Sequence, residues 1–216
     1  MFDIDGTLVD SAGFDADLYA DAVRTVLGIE VDRTWSAYRN VTDSGILEEL
    51  LEQRSADGAI DGGALESLRL AVRKRFVDAV REYLRVNARV VREIAGARAL
   101  LEGLRATPGV CVAVATGGWA ETAQLKLRAI GVETEGLGFA SASDAVARTK
   151  IMQLAEQRAL RGAPAISRTY FGDGAWDKRA SAELGYRFVA IGRGVAHEPC
   201  FDDFSDADAV LACLGR

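Results

Sequence analysis

The sequence predicts an α/β fold in which a parallel sheet is covered by helices and interrupted, near its start, by an all-helical insert. In the second half, short apolar runs alternate with amphipathic stretches, the pattern of parallel strands joined through helices. From residue 11 to about residue 93, by contrast, helical periodicity recurs and no segment reads as a strand. Gly131, Gly162 and Gly185 also stand where helices should stop.

The chain opens on Met1-Phe2-Asp3-Ile4-Asp5, an apolar segment with little length to pair in a sheet, so either the first strand is unusually short or the chain begins upstream. A turn at residues 10–13 leads into helical patterns at 16–27, 44–53 and 64–87. Asp43 is the expected N-cap of the second of these, and residues 55–63 read as a loop. The chain then returns near Ala95 to strands at 110–115, 139–141, 169–171 and 188–191. Helices are expected between them at 121–129, 150–160 and 178–184, with a last one near 206–214. Residues 1–11 and 95–216 would form the core and residues 12–94 a helical cap, hinged at residues 10–13 and 93–96, where few packed contacts should cross.

At 216 residues, 49% of them apolar, one core of this size can be packed. The formal charge is −6 and no basic run is long enough for a nucleic-acid footprint. Three cysteines without C-x-x-C spacing indicate neither a disulfide framework nor a zinc knuckle, and suit a reducing cytoplasm. No apolar run approaches the roughly 20 residues of a membrane helix. With a single histidine, His197, the chain lacks the parts for histidine-ligated metal sites or Ser-His-Asp catalysis. Any chemistry must run on carboxylates, lysine, hydroxyls and backbone.

Asp3 and Asp5 lie two positions apart at the end of an apolar strand, hence on one face, and Gly6 permits a tight exit. Open α/β sheets bind ligands at this end of their strands. One carboxylate can attack phosphorus while the other protonates the leaving oxygen, although the pair alone also fits a solvated turn. Thr116, at the end of the 110–115 strand and followed by Gly117-Gly118, can offer a hydroxyl and backbone N–H groups to phosphoryl oxygens, or serve as a plain N-cap. Lys150 can neutralise charge between carboxylate and phosphate, or be a surface lysine; Arg148 is a weaker candidate for that place. Asp173 and Asp177 follow the 169–171 strand and can face Asp3, as magnesium with its few carboxylates and several waters requires.

With Asp3-Ile4-Asp5-Gly6-Thr7-Leu8, Thr116, Lys150 and Gly172-Asp173-Gly174-Ala175-Trp176-Asp177 in this order, the chain resembles the haloacid dehalogenase superfamily, phosphoglycolate-phosphatase-like and sugar-phosphatase-like members in particular. The resemblance covers the whole chain, the helical insert standing where that family carries a cap. It implies a Rossmann-like core and Mg²⁺-dependent hydrolysis of a small phosphomonoester through an aspartyl-phosphate. Asp3 would be the nucleophile and Asp5 the acid and base, with Thr116 and Lys150 completing the catalytic set. Gly6, Thr116, Gly117 and Lys150 would bind phosphate. Asp3 and Asp173 would ligate Mg²⁺ through side chains, Asp5 through its carbonyl, and Asp177 would orient ligands or waters. Asp5 favours phosphate over carbon–halogen chemistry, since dehalogenases of this superfamily carry a different residue there.

The expected partner is a small phosphorylated metabolite, with no nucleic acid or membrane, for a monomer or homodimer. A phosphosugar mutase and a non-catalytic binding module are the alternatives. Trp119 and Trp176 read as packing or as walls of the substrate entrance, and Arg39, Asn40, Thr42 and Asp43 as a helix start or a cap segment touching the leaving group. The 73–75 basic cluster reads as a solvated helix face, and His197 as exposed.

Overall fold

Helices occupy the first part of the chain after a short apolar lead. In the computed structural model, which describes residues 1–56, 62–88 and 91–214, α1 spans Ala12–Leu27, α2 Asp43–Ala56 and α3 Leu65–Val86. The loop expected at 55–63 lies largely outside the described residues. Apolar residues at helical spacing explain the packing of α1 on α3: Tyr19 meets Phe76 edge to face at 5.4 Å, and Phe14 stacks on Tyr83 at 4.2 Å. Helix α1 stops where Gly28 takes a left-handed conformation, its N–H bonding the Arg24 carbonyl. The start of α2 departs from expectation. Thr42 caps it, its Oγ1 accepting the Gly45 N–H at 3.0 Å, and Asp43 is already inside the helix.

Beyond residue 94 come α4 (Ala97–Ala106), β1 (Ala113–Ala115), α5 (Ala120–Ala129), β2 (Gly138–Ala140) and α6 (Arg148–Leu160). They are followed by β3 (Thr169–Gly172), α7 (Ala175–Leu184), β4 (Arg187–Ile191), β5 (Cys200–Phe201) and α8 (Ala207–Leu211). Helix α4 was not among the expected elements, although its buried Ala97, Leu100, Leu101 and Leu104 recur at helical spacing. Strand β5 is only two residues long and offers no periodicity to read.

Among the described residues, β1 to β5 pair only in parallel. Phe2 joins the two halves of the sheet, bridging Val114 on one side and Phe171 on the other, which gives the order β2-β1-Phe2-β3-β4-β5. Its N–H bonds Ala113 O, and the Asp3 N–H bonds Phe171 O, both at 2.9 Å. The N-terminal segment is thus short and central at once. Parallel pairing brings the residues that follow Phe2, β1 and β3 to one edge of the sheet. These are Asp3, Thr116 and Asp173.

The two crossings between helical insert and sheet run side by side. Val9 pairs antiparallel with Glu93, and the N–H groups of Asp10 and Ile94 bond Arg92 O and Leu8 O at 3.0 and 2.9 Å. Leu8 and Val9 are fully buried, so the expected hinge is a paired ribbon with an anchored root. No described helix is long and apolar enough to cross a membrane.

Candidate active site

The carboxylates of Asp3, Asp173 and Asp177 converge at this edge, each offering an oxygen within 4.8 Å of the others. Asp3 is held by its backbone bond to β3, Asp173 leaves the end of that strand, and Asp177 sits in the first turn of α7, where Oδ2 accepts the Gly174 N–H at 3.2 Å. Glycines let the segments close on one another. Gly6 has φ of +74°, and a Cβ there would lie 2.1 Å from Asp173 Oδ2. A Cβ on Gly172 would lie 2.7 Å from Asp177 Oδ2.

Burial pushes the Asp3 carboxyl well above the usual range, against the pull of Arg148. Burial, then repulsion from Asp177 and Asp5, pushes Asp173 up to about 7. Burial also raises Asp177, with Arg148 opposing. The fully buried Asp177 Oδ1 accepts no aligned hydrogen bond, although Arg148 Nη1 lies 3.1 Å away at ion-pair distance. Three crowded carboxylates with an unsatisfied oxygen are the hard donor set that suits Mg²⁺. The Asp5 carboxylate is not part of this cluster and is paired with Lys126 instead.

Lys150 requires a correction. Its side chain is exposed, and the cation beside Asp3 is Arg148, with Nη1 3.2 Å from Asp3 Oδ1 and Nη2 donating to Val41 O at 3.3 Å. The reason is helical phase. Helix α6 begins at Arg148, and two residues further on the helix has turned by about 200°, which aims Lys150 away from the sheet. Burial alone would lower the Arg148 guanidinium, but Asp177 and Asp3 outweigh it and hold the group above its ordinary value. Gly117 makes room for this arginine, since a Cβ there would lie 2.5 Å from Nη2.

Thr116 is buried beside Asp3, its Oγ1 accepting the Gly118 N–H at 3.1 Å. The next amide, Trp119 N–H, goes to Asp43 Oδ2 at 2.8 Å, so Asp43 caps the start of α5 rather than of its own helix. The chain around Asp43 docks on the sheet side throughout: Asp43 N bonds Gly117 O, Thr42 Oγ1 bonds Val146 O, and Ser44 Oγ bonds Ala142 O while accepting from Trp119 Nε1. Trp119 is therefore packing, also against Tyr19, Phe76 and Arg73, whereas Trp176 lines the cavity. Arg39 pairs with Glu49 and Glu52 at the surface, and Arg73, expected to be solvated, reaches Glu121 and Ser143.

The sequence reading missed Lys126. This side chain is wholly buried, its Nζ lying 2.5 and 2.7 Å from the two oxygens of Asp5 and 2.8 Å from Asp15 Oδ1. Ser11 Oγ also donates to Asp5 Oδ1. Burial works against the ammonium, but Asp15 and Asp5 more than compensate and hold it above its usual value. The signal was present, because Thr122, Ala123, Lys126 and Leu127 share the buried face of α5, where a lysine has no place without a partner. Asp3, Asp5, Asp15, Asp43, Thr116, Gly117, Arg148, Asp173 and Trp176 line a cavity of about 160 Å³, together with Ala16, Tyr19, Trp35, Val41 and Ile46 from the helical side.

This arrangement can hold a cation against three carboxylates and an anion against Arg148, with Asp3 and Asp5 both lining the cavity. A family model for haloacid dehalogenase-like hydrolases matches residues 1–181. The chain belongs to the haloacid dehalogenase-like hydrolase family. Solved structures of similar fold include a hydrolase from Pseudomonas syringae at 20% identity and a TM-score of 0.71, covering 98% of this chain and 96% of that one. A predicted phosphoglycolate phosphatase from Haemophilus somnus is 17% identical with a TM-score of 0.65, covering 97% and 96%. A β-phosphoglucomutase from Clostridium difficile is 14% identical with a TM-score of 0.71, covering 98% and 94%. No curated protein matches the chain in sequence. Within this haloacid dehalogenase-like hydrolase, arginine rather than lysine stands beside the first aspartate.

Proposed function

We propose that the chain is a Mg²⁺-dependent phosphatase that hydrolyses a small phosphomonoester through an aspartyl-phosphate on Asp3. The observation that carries this reading is the convergence of Asp3, Asp173 and Asp177 with Arg148 at the edge of a cavity that also contains Asp5. Asp3 attacks phosphorus, the phosphorus–oxygen ester bond breaks, and the departing alkoxide takes a proton from Asp5. Water then attacks the phosphorus of the aspartyl-phosphate, Asp5 receives its proton, and Asp3 and inorganic phosphate are released. Arg148 and Thr116 meet the phosphoryl oxygens as charge redistributes, the dominant contribution in phosphoryl transfer. Asp3, Asp173 and Asp177, with the Asp5 carbonyl, would hold Mg²⁺, which supplies electrostatic stabilisation of the phosphoryl group when bound.

Lys126 keeps Asp5 oriented towards the helical side, and residues 12–94 act as the cap over a core of residues 1–11 and 95–216. The free thiols of Cys111, Cys200 and Cys213 suit a reducing compartment such as the cytoplasm. The test is phosphate release from p-nitrophenyl phosphate and small phosphomonoesters, with Mg²⁺, with EDTA and with Asp3→Asn. Release that requires Mg²⁺ and vanishes in the variant is expected. Isomerised product with little free phosphate would make the enzyme a mutase, and no turnover by folded protein would leave a binding module.

A further inference from the structure

The part of the cavity beyond the phosphate-binding end differs in charge from what an anionic leaving group needs. Two carboxylates from the helical side, Asp15 and Asp43, line it together with the apolar Ala16, Tyr19, Trp35, Val41 and Ile46. Arg148 is the single cation among the described lining residues, and it is committed to Asp3 and Asp177. Lys126 lies behind the wall with its ammonium engaged by Asp5 and Asp15. A carboxylate or second phosphate on the substrate would therefore meet Asp43, and Asp15 with one oxygen on Lys126, with no uncommitted cation among the described lining residues to receive it.

We infer that this enzyme selects small phosphomonoesters whose leaving group is a neutral polyol fragment or carries an ammonium, and discriminates against leaving groups that bear a carboxylate or second phosphate. The inference rests on the phosphatase reading above and names the substrate class of that same site. Burial raises both carboxyls, and Asp15 repels Asp43; an ammonium beside them relieves that repulsion and a further anion adds to it. The cavity of about 160 Å³ suits a leaving group of a few heavy atoms beside the phosphate.

Three near-isosteric probes test it: 2-aminoethyl phosphate, 2-hydroxyethyl phosphate and carboxymethyl phosphate, whose leaving groups carry a positive, no and a negative charge. Phosphate release would be measured for each, with p-nitrophenyl phosphate as reference. The expected result is a kcat/KM for the aminoethyl or hydroxyethyl ester at least about tenfold above that for the carboxymethyl ester. Asp43→Asn, which keeps an oxygen to accept the Trp119 N–H, should shrink the aminoethyl-to-carboxymethyl ratio by about tenfold. Asp15→Asn should shrink it too, and serves if the first variant melts early. Equal or better turnover of the carboxymethyl ester, or a ratio unmoved in both folded variants, overturns the inference while leaving the phosphatase reading intact. No release from any ester, p-nitrophenyl phosphate included, overturns both.

Discussion

Replacing Lys126 by methionine should be among the most destabilising single changes in this protein, and the loss should depend on pH. The ammonium is wholly buried and lies 2.5 Å from Asp5 and 2.8 Å from Asp15, so the variant leaves two partly buried carboxylates of the cavity wall uncompensated. Removing one partner of a buried ion pair costs about 3–5 kcal/mol, because the remaining charge is left uncompensated. In a chain of 216 residues, each kcal/mol moves Tm by about 2–4 °C, so a fall of about 6–20 °C is expected at pH 8. The sign of the pH dependence follows from Asp15. Burial already holds its folded pKa at about 6, above the ordinary 3.8, even with Lys126 pulling it down. Without the lysine it rises further, so folding takes up a proton over a wider range. A carboxyl raised in the folded state contributes most below its unfolded pKa and loses that contribution as pH rises through the folded one. The gap in Tm between wild type and variant should therefore widen from pH 5 to pH 8. Thermal melts of the two proteins at both pH values, with EDTA present, measure this directly. In the double variant Lys126→Met/Asp15→Asn, part of the loss at pH 8 should return, since one stranded charge is gone. A fall below about 1 kcal/mol, or a gap that narrows as pH rises, would refute the account of Lys126 as a compensated buried charge.

Further outcomes follow from the same geometry. Arg148→Ala should lower kcat for phosphate release by about 10²–10³-fold, as loss of one donor to a developing oxyanion does, whereas Lys150→Ala should stay within about twofold of wild type. Gly117→Ala places a Cβ 2.5 Å from Arg148 Nη2, and should lower kcat as the guanidinium is displaced, with circular dichroism showing the fold retained. Gly6→Ala combines a positive φ of +74° with a Cβ 2.1 Å from Asp173 Oδ2, and should both destabilise by about 1–3 kcal/mol and weaken Mg²⁺ binding, read by denaturant melts and titration calorimetry.

The docking of Val41, Thr42, Asp43 and Ser44 against the loops after β1 and β2 gives the helical side an ordered seat on the sheet. Opening the cavity would exchange these bonds for water while the ribbon formed by Val9 and Glu93 stays paired. Such an opening would act on polar contacts at the rim rather than on the buried apolar root, where separation would expose Leu8 and Val9.

Periodicity, turn residues and the order of short motifs determined the fold class, the helical insert, and the placing of Asp3, Thr116, Asp173 and Asp177 at one sheet edge. Those features are local, or follow from the rule that parallel strands end on the same side. The sequence also showed a lysine on the apolar face of α5, but not its partners, because Asp5 and Asp15 lie 121 and 111 residues away along the chain. Tertiary structure alone decided that Arg148 rather than Lys150 faces Asp3, since that depends on where α6 begins and how its first turn is rotated over the sheet. It likewise decided that Thr42 caps α2 and that Asp43 is left to cap α5 and line the cavity. A carboxylate satisfies whichever amide the packed chain brings to it, and spacing along the sequence carries no record of that choice.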